Sequence, residues 1–181
     1  MVRDDLRSIT DVFRAHGALP PRIVWSPRAS DITAAPLRVL LAHWNTLRAG
    51  ASSLPHERQI DLANLEPSVA GYVMLLEPID GGRDFRYAFY GDRLARISHL
   101  DMAGRRLSEH PASAYAIDFG IAVYRAACER REPIYSERHP VGARDATTWL
   151  RLVLPLIDDS GAVTRLLSGS AAVGRDGELI G

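Results

Sequence analysis

The chain contains no lysine, one cysteine and no excess of charge of either sign. The chain has 22 arginines, and 22 Asp and Glu residues balance their charge. The absence of lysine excludes lysine Schiff-base chemistry and the lysine-dependent phosphate loop. The single cysteine, Cys128, excludes an internal disulfide, and its small-residue surroundings predict a half-buried, unreactive thiol. Zero net charge removes the general attraction to nucleic acid or an anionic membrane, so we expect neither as a partner.

Long apolar runs are lacking as well. No stretch approaches the roughly 18 residues of a membrane span, and residues 1–7 lack the apolar core of a signal peptide. We therefore expect a cytoplasmic protein. A chain of 181 residues that is 46% apolar can form one domain with a substantial core. We expect a stand-alone domain, because no residues remain for a kinase, cyclase or DNA-binding module.

The first 30 residues predict a short amphipathic helix over 1–16, followed by a proline-rich linker. The apolar residues of that helix share one face: Val2, Leu6, Ile9 and Phe13. Gly17 ends it. The compact domain is expected to span 31–175, and a frayed tail to cover 176–181.

Hydrophobic periodicity predicts the element order of the domain. The expected elements are a helix over 34–49, a hairpin over 70–90, helices over 92–98 and 114–130, and strands over 134–139, 147–156 and 163–173. Strands that come in hairpins favour an antiparallel sheet with the middle helices on one face, which is an α+β fold. The helix over 34–49, or a second subunit, would cover the other face.

Four blocks of the chain follow one another in a distinctive order. They are Leu40-Leu-Ala-His-Trp-Asn-Thr-Leu-Arg-Ala-Gly50, Pro55-His-Glu-Arg-Gln-Ile-Asp61, Asp84-Phe-Arg-Tyr-Ala-Phe-Tyr-Gly91 and Leu100-Asp-Met-Ala-Gly-Arg-Arg-Leu107. Their order and spacing resemble a family of PAS-type domains common in alphaproteobacteria, across about 35–175. The chain departs from that family at Ala88 and His99, where we expect arginine and glycine.

The resemblance implies a five-stranded antiparallel sheet with the 92–130 helices on one face. It also implies a sensory or adaptor role in bacterial signalling, through a small molecule, through protein contacts, or both. Dimers built through N-terminal helices are common in such proteins. No cofactor and no particular signalling partner follows from it, and fold alone does not supply function.

A ligand pocket is expected between the middle helices and the sheet, since many aromatic rings with polar ends are compatible with a cavity. Its expected lining is Tyr87, Phe89, Ile97, His99, Tyr115, Phe119 and Leu152. A homodimer is expected because two apolar helix stripes need burial. Its expected interface is Leu6, Phe13, Leu37, Leu41 and Trp44.

Two other functions are open at this point. One is a small α+β enzyme of the isomerase or hydratase type, which would need a titratable group such as His99 or His110 in the pocket. The other is a structural dimerisation module with a filled core. The chain holds no Cys-x-x-Cys or His-x-x-x-His pair, and the glycines of 169–174 lack the phosphate-loop lysine. We therefore predict no enzyme, no catalytic residue and no metal site.

Overall fold

A single antiparallel sheet forms the centre of the fold. The structure, a computed structural model, describes residues 8–48, 53–140 and 147–180. Within those residues the strands are β1 (Arg22–Trp25), β2 (Val73–Ile79), β3 (Asp84–Tyr90), β4 (Ile134–Arg138), β5 (Thr148–Ile157) and β6 (Val163–Val173). They lie in the spatial order β1-β4-β5-β6-β2-β3, and every pairing is antiparallel. The sheet thus has six strands, where the resemblance implied five.

Helices precede, interrupt and follow the first strands. They are α1 (Ile9–Ala15), α2 (Ala35–Arg48), α3 (Pro67–Ala70), α4 (Asp92–Ser98) and α5 (Ala114–Arg130), joined in places by single 3-10 turns. None of the described helices is both long enough and apolar enough to cross a membrane. The α+β class and the order of the main elements are as predicted.

Residues 8–30 belong to the fold rather than to a separate helix and linker, which corrects the predicted boundary at 31. The segment supplies β1, which pairs with β4 so that Trp25 lies opposite Ile134. The Ser8 side chain caps α1, and the imidazole of His16 contacts the Asp118 carboxylate of α5 at 2.8 Å. Leu6 and the other residues before Ser8 lie outside the described residues.

Helices cover both faces of the sheet: the middle helices α4 and α5 share one face, as predicted, and α2 covers the other. We call the side packed against α1, α4 and α5 the α5 face, and the side packed against α2 and α3 the α2 face. Alternate residues of β5 divide between them: Leu152 lies on the α2 face, whereas Val153 lies on the α5 face. The helix predicted over 34–49 therefore covers the second face without help from another subunit.

A β-bulge in β3 changes which aromatic side chains face α5. Leu75 pairs with Phe89 and Leu76 pairs with Tyr87, so Ala88 is the extra residue. A bulge shifts the alternation of side chains by one position. Phe89 consequently packs on the α2 face, while Tyr90 joins the α5 face. The prediction that Phe89 shares a face with Tyr87 is wrong for this reason.

The C-terminal residues fold back onto β6 instead of fraying. The backbone N–H of Gly174 donates to the carbonyl of Glu178 at 2.8 Å, and that of Ile180 donates to Ala172 at 2.9 Å. Gly177 has a φ of 82°, which glycine adopts without a steric penalty. Leu179 then packs on the α2-face core.

Candidate functional site

A cavity of about 480 Å³ lies between the α5 face of the sheet and the segment that runs from α4 to α5. Most of its lining is apolar and includes Met74, Leu94, Leu107, Ile117 and Trp149. Polar groups enter from several sides, namely Tyr90, Ser98, His110, Ser113, Arg138, Arg151 and Ser170. The cavity therefore combines an apolar interior with a small set of convergent polar side chains.

The cavity occupies the predicted layer, but the side chains predicted to line it are not those found there. Tyr87, Tyr115 and Phe119 are buried in the core of the α5 face beside the cavity. Ile97 is half-buried, and His99 is exposed at the end of α4, where its backbone φ is 55°. Phe89 and Leu152 pack on the α2 face, across the sheet.

The side chains expected at a dimer interface are satisfied mainly within their own chain. Leu37, Leu41 and Trp44 of α2 are at most 4% exposed, and the Trp44 Nε1–H donates to the carbonyl of Pro155 at 3.2 Å. Phe13 is half-buried against the α5-face core. Among the described residues, Leu19 is the large apolar side chain that is exposed. The α2 stripe therefore gives no reason to expect a second copy.

Arg138 brings a positive charge to the cavity from β4. Its side chain is largely buried, with the residue 7% exposed, and no carboxylate in the described part of the chain pairs with it. The guanidinium carbon lies 5.3 Å from the ring centre of Tyr115 and 5.7 Å from that of Phe119. Burial, and then the charge of Arg151, lower the pKa of Arg138 to about 10. It remains a cation at neutral pH.

Arg151 brings a second positive charge from the centre of the sheet. It lies on β5 directly between Ser136 of β4 and Ser170 of β6. Its guanidinium carbon is 5.1 Å from the ring centre of Tyr124, and its Nη1 has no hydrogen-bond partner. The Arg138 and Arg151 side chains thus share one face of two neighbouring strands.

Gly120 makes room for the Arg151 guanidinium on α5. A Cβ at position 120 would lie 3.2 Å from Nη1 of Arg151 and 3.2 Å from Cδ2 of Leu107, closer than most such contacts. Glycine inside a helix costs roughly 1 kcal/mol relative to alanine. The close approach of Arg151 and Leu107 gives a physical reason for a glycine in the middle of α5.

Unpartnered polar atoms concentrate around these arginines. Six buried side-chain polar atoms of the described residues lack a hydrogen-bond partner, and four lie on the α5 face. Those four are Tyr115 OH, Tyr124 OH, Ser136 Oγ and Arg151 Nη1. Leaving such a group unsatisfied costs about 1–3 kcal/mol, and native proteins leave few. Most of the unpaired buried polar atoms of the described residues therefore lie on the α5 face.

The titratable groups near the cavity are donors at neutral pH. Burial raises the pKa of Tyr87, Tyr90 and Tyr115, which keeps their hydroxyls protonated. Burial, and then the charge of Arg151, lower the pKa of His110. Its Nδ1 accepts the backbone N–H of Ala112 at 3.1 Å, so the neutral ring carries its proton on Nε2.

The same residues offer little for acid–base or nucleophilic chemistry. No carboxylate lines the cavity in the described part of the chain. Burial raises the pKa of the Cys128 thiol to about 12, so it is not a thiolate nucleophile. No group of three His, Cys, Asp or Glu side chains within residues 8–48, 53–140 and 147–180 is placed to hold a metal ion. The arrangement is suited to binding an anion.

Sequence reasoning missed both arginines, although one pattern pointed to Arg151. In β5, Arg151 alternates with Trp149 and Val153, so a charge shares a strand face with two apolar side chains. A charge in such a position is worth testing as a site residue.

Comparison of the chain with protein-family models, curated proteins and solved structures finds no match.

Proposed function

We propose that the protein is a small-molecule-binding module of the PAS-like sensory or adaptor kind, acting in the cytoplasm. The observation that carries the proposal is the cavity of about 480 Å³ between the sheet and the α4–α5 segment. Pockets that bind small organic molecules have volumes of roughly 300–1,000 Å³ and an apolar lining with a few placed polar groups. This cavity has both properties.

The arrangement of the fold supports the same proposal. Strands β2 to β6 are contiguous in the sheet, and the helical segment lies between β3 and β4, as the PAS resemblance implies. β1 is then an addition at the edge of the sheet. A filled-core dimerisation module has less support because the cavity is open space. An enzyme has less support because no carboxylate of the described residues lines the cavity and Nε2 of the neutral His110 carries a proton, so it is not a free base.

The contacts of α5 and β4 connect the cavity to the N-terminal segment, so ligand binding can change the surface of the molecule. α5 forms one wall of the cavity and also carries Asp118, which holds His16 of the α1–β1 segment. β1 pairs with β4, the strand that carries Arg138. A ligand that favours one position of α5 would therefore change how the N-terminal segment presents itself to a signalling protein or to a second copy.

The proposal is tested by closing the cavity from α5. Ala116 lines it and is half-buried, so Ala116→Phe places a ring in the cavity without removing a core side chain. We expect native mass spectrometry and ligand-observed NMR with a fragment library to detect bound small molecules on the wild type. Binding should be lost in Ala116→Phe. Ala114→Phe, at an exposed position of the same helix, is the matched control and should bind as the wild type does.

The proposal fails if the wild type binds no fragment. It also fails if Ala116→Phe and Ala114→Phe bind the same fragments equally well, because the binding would then lie elsewhere on the molecule.

A further inference from the structure

We infer that the ligand of this cavity is an organic carboxylate with an apolar body, and that Arg138 and Arg151 bind its carboxylate group. The inference rests on the proposed function, because it names the chemical class that the cavity takes. It begins from two cations on the α5 face that no carboxylate of the described residues neutralises.

The register of the sheet places the two arginines close together. Arg138 pairs with Trp149, and Arg151 pairs with Ser136, so the arginines are diagonal neighbours on β4 and β5. Cβ atoms in such positions are roughly 7–8 Å apart, within reach of two long side chains. Two like charges that are partly withdrawn from water destabilise each other unless an opposite charge lies between them.

The carboxylate nearest in sequence is directed elsewhere. Glu137 precedes Arg138 on β4 and hydrogen-bonds to Arg22 at 2.8 Å and to the hydroxyl of Tyr135 at 3.0 Å, on the α2 face. Asp118 of α5 is held by His16. The described residues therefore supply no carboxylate to Arg138 and Arg151, and the inference assigns that charge to a bound molecule.

The hydrogen-bonding groups around the arginines match a carboxylate. A guanidinium donates to both carboxylate oxygens in one plane, and both Arg138 and Arg151 line the cavity. His110 also lines the cavity, and its neutral ring can donate from Nε2. Gly120 leaves the space against α5 in which the Arg151 guanidinium lies.

The rest of the cavity favours an organic anion over an inorganic one. Met74, Leu94, Ile117 and Trp149 line it, and an inorganic phosphate would leave their surfaces without a contact. A volume of about 480 Å³ is also far more than one tetrahedral ion fills. In an organic carboxylate, an aromatic or branched aliphatic body contacts the apolar lining while the carboxylate group contacts the two arginines.

The test compares phenylacetate, phenylacetamide and inorganic phosphate by calorimetric titration at constant ionic strength. The acid and the amide have the same shape and differ in charge. We expect the wild type to bind phenylacetate at least about tenfold more tightly than phenylacetamide, since a hydrogen bond to a charged group is worth that factor or more. Arg151→Met should remove the difference, and Arg138→Met should reduce it independently.

Arg130→Met is the matched control. Arg130 lies near the other end of α5, and its guanidinium stacks on Trp25 at 3.8 Å, outside the cavity lining. This variant loses an arginine and an aromatic contact but should keep the preference for phenylacetate. Thermal melts of all variants identify any that do not fold. If one of the two cavity-arginine variants does not fold, the other still tests the preference for phenylacetate.

The outcomes distinguish a failure of the carboxylate inference from a failure of the proposed function. If phenylacetamide binds as tightly as phenylacetate, or if phosphate alone binds in an Arg151-dependent way, the carboxylate inference is wrong. The same holds if no probe binds while other fragments still occupy the cavity, and in these cases the proposed function stands. If no probe binds and Ala116→Phe changes nothing in the fragment screen, both fall.

Discussion

The two faces of the sheet are made from alternate residues of the same strands, yet they differ in kind. On the α2 face, β5 starts with the half-buried Thr148 and continues with four leucines that are at most 3% exposed: Leu150, Leu152, Leu154 and Leu156. On the α5 face the same strand contributes Arg151 between Trp149 and Val153, and β6 adds Ser168 and Ser170. One face is a continuous apolar core, and the other includes a band of polar side chains.

The difference extends to the hydrogen bonds. On the α2 face the indole N–H of Trp44 reaches the carbonyl of Pro155, so the largest buried ring there leaves no polar atom unpaired. On the α5 face Tyr115 and Tyr124 are buried with unpaired hydroxyls. The two sides of one sheet thus differ in how fully their polar atoms are paired, and the proposed function assigns binding to the side with more unpaired atoms.

The largest expected effect is on the α2 face, from Trp44→Glu. Trp44 is 1% exposed, so the change places an unpaired carboxylate in an apolar contact. We expect a loss of at least about 4 kcal/mol in the free energy of unfolding, or no folded protein. Asn45→Glu adds the same charge at the next, exposed position and should change stability by less than about 0.5 kcal/mol. Urea denaturation of both variants measures this, and equal midpoints would show that α2 does not pack as described.

A sharper comparison uses two adjacent residues of β5. Leu152→Ala leaves a cavity in the α2-face core and should cost about 2–5 kcal/mol. Arg151→Met removes a partly buried charge that has no protein counterion, so it should cost less than about 1 kcal/mol or raise stability. Urea denaturation at neutral pH gives both values. If Arg151→Met proved as costly as Leu152→Ala, the α5 face would be an ordinary structural core.

Much of the fold follows from local patterns. The helix predicted over 114–130 and the hairpin predicted over 70–90 match α5 and the β2–β3 pair, because their periodicity is contained within the segment itself. β1 was not predicted as a strand. Its residues, Arg22–Trp25, lie in a proline-rich stretch too short to show a period, and they become a strand through pairing with distant β4.

Which side chains line the cavity could not be predicted from local sequence patterns. The alternation of β5 predicts that Trp149, Arg151 and Val153 share a face, but the packing of α5 decides which face borders the cavity. Strict alternation through β3 predicts that Phe89 shares the pocket face with Tyr87. The bulge at Ala88 is produced by pairing with β2, so the sequence of β3 alone did not reveal it.

The smallest expected effect concerns how closely α5 is fitted to Arg151. In an ordinary helix interior, Gly→Ala stabilises by roughly 1 kcal/mol. At Gly120 the new Cβ would meet Nη1 of Arg151 and Cδ2 of Leu107, each at 3.2 Å, so Gly120→Ala should destabilise the wild type by about 1 kcal/mol.

A double-mutant cycle isolates the part due to the guanidinium. In the Arg151→Met background the flexible thioether can move away, and Gly120→Ala should then be nearly neutral, with a coupling of about 1 kcal/mol. Stabilities from urea denaturation of the four proteins give that value. A coupling of zero would mean that Leu107 alone opposes the substitution, and that α5 is not shaped around the arginine it faces.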